Sequence, residues 1–185
     1  MIKNLTNRAI FLDRDGTLNY DKGYTHIFHE QQIIEGSTAV LKHAKRLGFL
    51  VIIITNQSGI GRGIYSEAQF HKYMDDLKKY YELFDVGFDD YFFAPHYELS
   101  RVAKYRKGCE FRKPNIGMIQ LAQKKYSLDL GKSILIGDKE TDIKAGLIGK
   151  ISSLVLFNQK CSGTIRRDRY TEVNELKAIL ELPIW

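Results

Sequence analysis

The segment Ala9-Ile10-Phe11-Leu12-Asp13-Arg14-Asp15-Gly16-Thr17 decides the fold, because a short apolar run ends abruptly in two carboxylates. Four continuous apolar residues without alternation are typical of a strand buried on both faces, as in parallel sheets covered by helices. Four similar runs follow along the chain. They cover residues 49–54, 91–93, 134–136 and 154–157.

Helical patterns separate these runs. Val40, Leu41, Ala44 and Leu47 have helical spacing before Gly48, and a capping box at 66–69 precedes Phe70, Met74 and Leu77. We also expect two further apolar stripes in the core. The first follows Pro114 and consists of Met118, Leu121, Ala122 and Tyr126. The second lies in a predicted terminal helix and consists of Val173, Leu176, Ile179 and Leu180. The alternation predicts an α/β fold of three layers, with a doubly wound, mostly parallel sheet.

The chain has 185 residues, which fits a single domain over 1–185, and the motif spacing leaves no room for a large cap domain. Its formal net charge of +6 is compatible with nucleic acid, a membrane surface or a small anionic substrate. Its densest basic cluster, Arg166, Arg167 and Arg169, predicts a solvated surface turn. Cys109 and Cys161 are too few for a disulfide framework, and residues 1–8 are polar, so we expect a cytoplasmic protein without a signal peptide or membrane span.

Reactive side chains follow three of the apolar runs. Asp13 follows the first run, Thr55 the second and Asp138 the fourth. Because ligands bind beyond the carboxyl ends of strands in such sheets, these residues are expected to share one site. Asp13 and Asp15 at the end of a buried strand are costly to keep ionised without a cation, and their oxygens suit Mg²⁺. An ordinary Asp-Gly surface turn remains the alternative for this segment alone.

Three other segments supply complementary groups. Residues 55–63 offer a hydroxyl, amides and three glycines, Arg112-Lys113-Pro114 offers two cations before a helix, and residues 137–142 offer acids and Lys139. Taken singly, residues 55–63 could be an ordinary flexible loop, the basic pair is better explained as solvated, and an isolated acidic turn at 137–142 would indicate little. Together they provide the nucleophile, hydroxyl, cation and metal ligand that phosphoryl transfer requires.

The four motifs FLDRDGTLN, TNQSGIGRG, FRKP and GDKETD resemble the haloacid dehalogenase superfamily, in its branch of heptose-bisphosphate and histidinol-phosphate phosphatases. The resemblance covers residues 8–157. It implies a magnesium-dependent phosphatase that acts on a small phosphorylated sugar. We expect a monomer without nucleic-acid or membrane partners. The implied reaction is hydrolysis of the 7-phosphate of D-glycero-D-manno-heptose 1,7-bisphosphate during synthesis of nucleotide-activated heptose.

The resemblance also implies roles for individual residues. Asp13 would attack phosphorus and form an aspartyl-phosphate, and Asp15 would act as general acid and then general base. Magnesium would be held by the Asp13 carboxylate, the Asp15 main-chain carbonyl and Asp138, with Asp142 in support. Thr55 and Lys113 would bind the transferring phosphoryl group. The expected substrate contacts are Asp21, Lys22, Gly23, Tyr24, Thr55, Asn56, Gln57, Ser58, Arg112, Lys113 and Lys139, with Arg112 selecting the non-reacting anionic end.

One segment departs from the family. Relatives commonly carry a zinc loop with three cysteines and one histidine, which corresponds here to residues 94–113. His96 and Cys109 remain as remnants, but Ala94 and Phe111 stand where cysteines would be. Two protein ligands are too few for a closed structural zinc site, so we expect no structural zinc. The loop is then expected to be held by packing, through Tyr97, Tyr105 and Phe111.

Three alternative functions remain open. A histidinol-phosphate phosphatase would use the same fold and catalytic residues. A nucleic-acid 3′-phosphatase would need a basic groove with stacking aromatic side chains, and no basic-aromatic alternation is visible. A non-catalytic phosphosugar-binding protein is supported only by the altered loop, since every matched catalytic position is intact.

Overall fold

The computed structural model describes residues 7–106, 108–158 and 164–185. Its centre is a six-stranded sheet in the order β3-β2-β1-β4-β5-β6, and every pair of neighbouring strands is parallel. The strands are β1 (Ala9–Leu12), β2 (Leu50–Asn56), β3 (Asp90–Ala94), β4 (Ile134–Gly137), β5 (Ser153–Phe157) and β6 (Thr171–Val173).

Five α-helices connect the strands. They are α1 (Ser37–Arg46), α2 (Ser58–Gly61), α3 (Glu67–Glu82), α4 (Gly117–Tyr126) and α5 (Glu140–Ile148). Short 3₁₀ helices cover Glu30–Gln32, Ala103–Tyr105, Leu130–Lys132, Arg167–Arg169 and Leu176–Glu181. The capping box opens α3 as expected, since the Gln69 N–H donates to Ser66 Oγ and the Ser66 N–H donates to Gln69 Oε1. Among the described residues there is no second sheet.

Both faces of the sheet are covered, which gives the predicted three layers. Ile10 and Leu12 of β1 point into a core shared with α1 and α3. Ala9 and Phe11 point the other way, into a core shared with α4 and α5. All four side chains are buried, so the continuous apolar run at 9–12 does reflect a strand covered on both sides. The doubly wound fold class is confirmed.

Two expectations about the core were wrong. Val173 does not lie in a terminal helix, because it ends β6 and pairs with Phe157, while Leu176–Glu181 form a 3₁₀ helix. The three-residue spacing of Leu176 and Ile179 satisfies a 3₁₀ helix as well as an α-helix, and both side chains are buried. Leu47 and Leu121 are exposed rather than in the core. Leu47 caps the end of α1, and α4 is buried instead through Met118, Ile119 and Ala122.

The basic cluster near the C-terminus is a surface turn, as predicted, with Arg166, Arg167 and Arg169 exposed and Arg166 Nη2 2.7 Å from Asp168 Oδ2.

Within the described residues, no helix combines the length and the apolar character needed to span a membrane. Cys161 and residues 1–6 lie outside the described residues, so the structure does not test the expectations that rest on them. Cys109 is a free cysteine.

Candidate active site

The sheet order brings the reactive strand ends together. β1 lies between β2 and β4, so Asp13, Thr55 and Asp138 emerge side by side at the carboxyl edge of the sheet. A cleft of about 680 Å³ opens there, a size that suits a small-molecule substrate. Its lining includes Asp13, Asp15, Asp21, Gly23, Tyr24, Thr55, Asn56, Gln57, Ser58, Arg112, Lys113, Lys139 and Asp142.

An ammonium group contacts the predicted nucleophile at the bottom of this cleft. Lys113 Nζ lies 2.6 Å from Asp13 Oδ1, 2.6 Å from Asp142 Oδ1 and 2.7 Å from the carbonyl oxygen of Ile54. Burial alone would lower the pKa of Lys113, but the two carboxylates outweigh it and raise that pKa. The two carboxylates therefore favour the charged form of Lys113 beside Asp13.

Three carboxylates cluster around this charge. Oxygen atoms of Asp13, Asp138 and Asp142 lie within 4.8 Å of one another, and this is the only group of three or more potential metal ligands this close together among the described residues. Burial raises the pKa of Asp13 to about 8 despite the opposing charge of Lys113, and burial likewise raises the pKa of Asp138. We call Asp13, Lys113, Asp138 and Asp142 the strand-end cluster.

The strand-end cluster fits a divalent cation. Its three carboxylates outnumber its single ammonium, and Asp138 Oδ1 is buried with no hydrogen-bond partner within the described part of the chain. Gly16 has a φ of +94°, and a Cβ placed on it would lie 2.1 Å from Asp138 Oδ2. Only glycine therefore lets the turn after Asp15 pass this close to the carboxylate. An oxygen-only donor set of this kind suits Mg²⁺.

Three side chains hold the Asp15 carboxylate. Arg14 and Asn19 were not among the predicted site residues, and Gln57 was predicted to contact the substrate instead. Arg14 donates to both carboxylate oxygens, with Nη2 2.6 Å from Oδ2, while Asn19 Nδ2 lies 3.0 Å from Oδ1 and Gln57 Nε2 lies 2.8 Å from Oδ2. Arg14 is completely buried, stacks 4.4 Å above the Tyr73 ring and also donates to the Thr25 carbonyl. These contacts fix the direction of the Asp15 carboxylate.

Two predicted substrate-binding residues use their side chains to position other residues. Gln57 Nε2 also donates to Thr55 Oγ1 at 2.8 Å, and Gln57 Oε1 accepts a 2.5 Å hydrogen bond from the buried Tyr65 hydroxyl. Asn56 exchanges hydrogen bonds with the main chain of Lys113, at 3.1 and 3.0 Å. These two hydrogen bonds fix the backbone of Lys113, whose ammonium group is buried.

The segment from Asp21 to Tyr24 lies at the mouth of the cleft. Asp21, Gly23 and Tyr24 line it, but Lys22 is exposed and does not, because the Asp21 carboxylate closes the turn onto the Gly23 N–H and leaves Lys22 at its outer side. Lys139 Nζ lies 3.4 Å from Asp138 Oδ2 and 3.5 Å from Asp21 Oδ2. Burial would lower the pKa of Lys139, but Asp138, Asp13 and Asp21 raise it overall.

The 94–113 loop borders the cleft and is fixed by packing and hydrogen bonds. His96 Nδ1 lies 2.9 Å from Cys109 Sγ, so these two side chains contact each other. Tyr105 is buried and its hydroxyl donates to Glu67 of α3, and Phe111 packs into the core between the sheet and α4. The Tyr97 ring lies under the Arg62 guanidinium, 3.9 Å from its centre. The three aromatic residues expected to hold the loop all make such contacts.

Comparison with known proteins extends the similarity over most of the chain. The family model described as polynucleotide kinase 3 phosphatase matches residues 9–160. A D-glycero-alpha-D-manno-heptose-1,7-bisphosphate 7-phosphatase from Burkholderia mallei is 41% identical over 83% of this chain and 81% of its own length. The D-glycero-beta-D-manno-heptose-1,7-bisphosphate 7-phosphatase from Pasteurella multocida is 39% identical over 95% of both chains.

Solved structures show the same fold. A haloacid dehalogenase-like phosphatase from Mesorhizobium loti superposes with a TM-score of 0.81 and 27% identity, over 94% of this chain and 84% of the other. The D,D-heptose 1,7-bisphosphate phosphatase of B. bronchiseptica, complexed with magnesium and phosphate, has a TM-score of 0.79 at 24% identity, over 94% and 96% of the two chains. The chain belongs to the phosphatases of the haloacid dehalogenase superfamily, in the family of the heptose-1,7-bisphosphate 7-phosphatases.

Proposed function

We propose that this protein hydrolyses the 7-phosphate of D-glycero-D-manno-heptose 1,7-bisphosphate through an aspartyl-phosphate on Asp13. The observation that carries the proposal is the contact of 2.6 Å between Asp13 Oδ1 and Lys113 Nζ at the bottom of an open cleft. Family membership supplies the substrate, because relatives that align over most of their length bear that activity in their names. Both the α and the β anomer occur among those names.

In the first step, a carboxylate oxygen of Asp13 attacks phosphorus, and the bond between phosphorus and the sugar oxygen breaks. Lys113 would neutralise charge on the transferring phosphoryl group, since its ammonium is fixed beside the attacking oxygen. Thr55 Oγ1 accepts a hydrogen bond from Gln57, which leaves the hydroxyl proton of Thr55 free to donate to a phosphoryl oxygen. Both groups are in place before substrate binds.

Asp15 would move the protons in both steps. It gives a proton to the departing sugar oxygen, and then accepts one from the water that hydrolyses the aspartyl-phosphate to inorganic phosphate and free Asp13. Its carboxylate lines the cleft and is oriented by Arg14, Asn19 and Gln57. Those contacts support its role as a fixed proton donor and acceptor next to the nucleophile.

Magnesium belongs to the same proposal. Asp13, Asp138 and the main-chain carbonyl of Asp15 would hold it, with Asp142 in support. When bound, Mg²⁺ would neutralise the excess carboxylate charge and withdraw charge from the phosphoryl oxygens. The supporting observations are the three clustered carboxylates and the buried Asp138 Oδ1 that lacks a hydrogen-bond partner among the described residues.

The decisive experiment is Asp13→Asn assayed with magnesium and the heptose bisphosphate. The neutral amide replaces the nucleophilic carboxylate but keeps the side-chain shape, so kcat should fall by at least about 10⁴-fold. Phosphate release and trapping of ³²P on the protein would be measured together, and the wild type alone should become labelled. Unchanged turnover by Asp13→Asn would remove Asp13 as the nucleophile.

Substrate identity is tested in parallel with the wild type. The heptose bisphosphate anomers, histidinol phosphate and a 3′-phosphorylated oligonucleotide would be compared by kcat/KM, and a heptose bisphosphate should be preferred. Much faster turnover of histidinol phosphate or of the oligonucleotide would contradict the proposed substrate. A cytoplasmic monomer completes the proposal, and light scattering after size exclusion would measure its mass.

A further inference from the structure

Tyr65 is a buried tyrosine at the cleft that the catalytic steps above do not use. It immediately precedes the N-cap of α3, it lines the cleft, and only 5% of it is exposed. Its hydroxyl donates to Gln57 Oε1 at 2.5 Å. Burial raises the pKa of Tyr65, so the hydroxyl keeps its proton. Tyr65 therefore presents a protonated donor to the side chain of Gln57.

The Tyr65 hydroxyl fixes the direction in which the Gln57 amide points. Gln57 Nε2 donates to Asp15 Oδ2 and to Thr55 Oγ1, each at 2.8 Å, so both of its hydrogens are used. The amide oxygen on the opposite side needs a donor, and Tyr65 supplies it. A reversed amide would place its oxygen against the Asp15 carboxylate, which is itself an acceptor and repels it. The three contacts together therefore favour a single orientation of the amide.

Gln57 differs from the other two side chains that hold Asp15. Arg14 and Asn19 are completely buried and do not line the cleft, and they otherwise donate to main-chain carbonyl oxygens. Gln57 lines the cleft and joins the Asp15 carboxylate to Thr55 Oγ1, the hydroxyl proposed to bind the phosphoryl group. It therefore sets the position of the proton donor relative to the group that is transferred.

Two contacts hold the Tyr65 ring in place. The imidazole of His26 stacks on it, with ring centres 4.9 Å apart and planes 10° from parallel. A Cβ on Gly59 would lie 2.2 Å from Tyr65 Cε1, so a glycine in α2 leaves room for the ring. The Ile64 N–H donates to the Gly59 carbonyl oxygen at 2.9 Å and closes the segment between glycine and tyrosine. The hydroxyl is thus in place before substrate binds.

We propose that Tyr65 is a positioning residue for proton transfer, whose hydroxyl acts through Gln57 to hold the Asp15 carboxylate in the direction of the departing sugar oxygen. This deepens the proposed function and rests on it for the role of Asp15. As the bond between phosphorus and the sugar oxygen breaks, the proton passes from Asp15 to that oxygen, and Tyr65 keeps its own proton.

The effect of Tyr65 should reach Asp15 more than Thr55, although Gln57 donates to both. Thr55 lies within β2, and its pairing with Phe93 of β3 fixes its backbone. Asp15 lies in the turn after β1, so the direction of its carboxylate depends more on contacts with other side chains. Loss of the Tyr65 hydroxyl should therefore impair proton transfer and leave the binding of the phosphoryl group nearly intact.

The first test is Tyr65→Phe, which keeps the ring and removes the hydroxyl. A sugar oxygen is a poor leaving group that needs the proton of Asp15, whereas para-nitrophenolate leaves without one. The value of kcat/KM for the heptose bisphosphate should fall by about 10-fold, mainly through kcat, and that for para-nitrophenyl phosphate should change by less than about 2-fold. Equal losses on both substrates, or no loss on either, would overturn the proposal.

Tyr81→Phe is the matched control for this variant. Tyr81 is also a buried tyrosine, but it lies near the far end of α3 and does not line the cleft. Its hydroxyl should therefore have no influence on Asp15, and kcat/KM for both substrates should equal that of the wild type. A loss in Tyr81→Phe like that in Tyr65→Phe would show a general effect on the core instead of a positioning role.

A double-mutant cycle tests whether Tyr65 acts through Gln57. If it does, adding Tyr65→Phe to Gln57→Ala should lower kcat/KM for the heptose bisphosphate by less than about 2-fold, because the amide that the hydroxyl orients is already absent. Losses that multiply would contradict the proposal. Failure of the proposed function would be recognised separately, as a wild type inactive on the heptose bisphosphate. In that case β-glycerophosphate, whose alkyl oxygen is also a poor leaving group, would replace it in the comparison.

Discussion

The strand-end cluster and the 94–113 loop share Lys113 at one cleft, but the cluster and the rest of the loop are held in place by different contacts. Asp13, Lys113, Asp138 and Asp142 are buried, and charge pairs of 2.6 Å join the lysine to two of the acids. The loop is held by aromatic packing and by hydrogen bonds, such as those of Ser100 Oγ to the Gly61 carbonyl oxygen and of the Tyr105 hydroxyl to Glu67. Buried charges therefore hold the strand-end cluster together, whereas packing and hydrogen bonds hold the loop.

The largest effect on stability should come from breaking the buried charge pairs with Lys113→Met. The variant leaves Asp13 and Asp142 without their counter-charge in a buried site, so the free energy of unfolding should fall by about 3–5 kcal/mol. Urea unfolding without magnesium would measure this loss, and activity should disappear with the ammonium.

The control for this variant is Lys125→Met. Lys125 Nζ lies 2.8 Å from Asp90 Oδ2, but its side chain is 57% exposed. Because exposed ion pairs contribute about 0–1 kcal/mol, the control should unfold close to wild type. A Lys113→Met protein that is as stable as the control would show that the cluster is not held together by charge.

The next largest effect is expected from Gly16→Ala, which should disturb the geometry of the strand-end cluster. The added methyl would displace Asp138, and a shift of about 1 Å in a catalytic group can cost roughly 10²-fold in rate. We expect kcat/KM to fall by about that factor and the magnesium concentration for half-maximal activity to rise. Both would be read from magnesium titrations of activity.

Gly48→Ala is the control that separates the effect of the contact with Asp138 from the effect of a strained backbone. Gly48 also has a positive φ, +78°, but a Cβ there meets no atom within 4 Å. Its substitution should cost about 1–2 kcal/mol of stability from the left-handed conformation and leave the magnesium dependence unchanged. If both alanine variants lost magnesium affinity equally, the close contact between Gly16 and Asp138 would not be what matters.

The smallest effect is expected in the loop, from Ser100→Ala. This variant removes the hydroxyl that donates to Gly61 and Val102, and a neutral hydrogen bond contributes about 0.5–1.5 kcal/mol. Thermal unfolding should show a loss in that range, and added zinc should not restore it, since His96 and Cys109 alone cannot close a zinc site. Stabilisation of either protein by zinc would contradict a loop held by packing.

The strand-end cluster was largely predictable from sequence. A buried strand must end at the sheet edge, so Asp13, Thr55 and Asp138 could be placed from the apolar runs before them. Arg14 gave no such signal, because nothing in its neighbourhood indicates that a completely buried arginine turns back onto Asp15. Likewise, the side-chain amide of Gln57 could donate a hydrogen bond to a substrate or to a neighbouring carboxylate equally well, and only the structure distinguishes the two.

The errors in the fold arose where apolar spacing is ambiguous. Val173 and Leu176 fit a helical stripe, yet Val173 completes a three-residue strand through its pairing with Phe157. Leu121 fits α4 by spacing but faces solvent, because neighbouring Ile119 and Ala122 define the buried side. Such choices depend on tertiary packing, which periodicity alone does not contain.

The position of β3 at the edge of the sheet has an evolutionary consequence. β3 pairs only with β2 among the described strands, and the 94–113 loop begins where this outermost strand ends. Substitutions there can accumulate without repacking β1 and β4, which carry the reactive carboxylates. The sequence of this loop can thus diverge among relatives while the neighbouring strand ends stay unchanged, so this border of the cleft can vary before the strand-end cluster does.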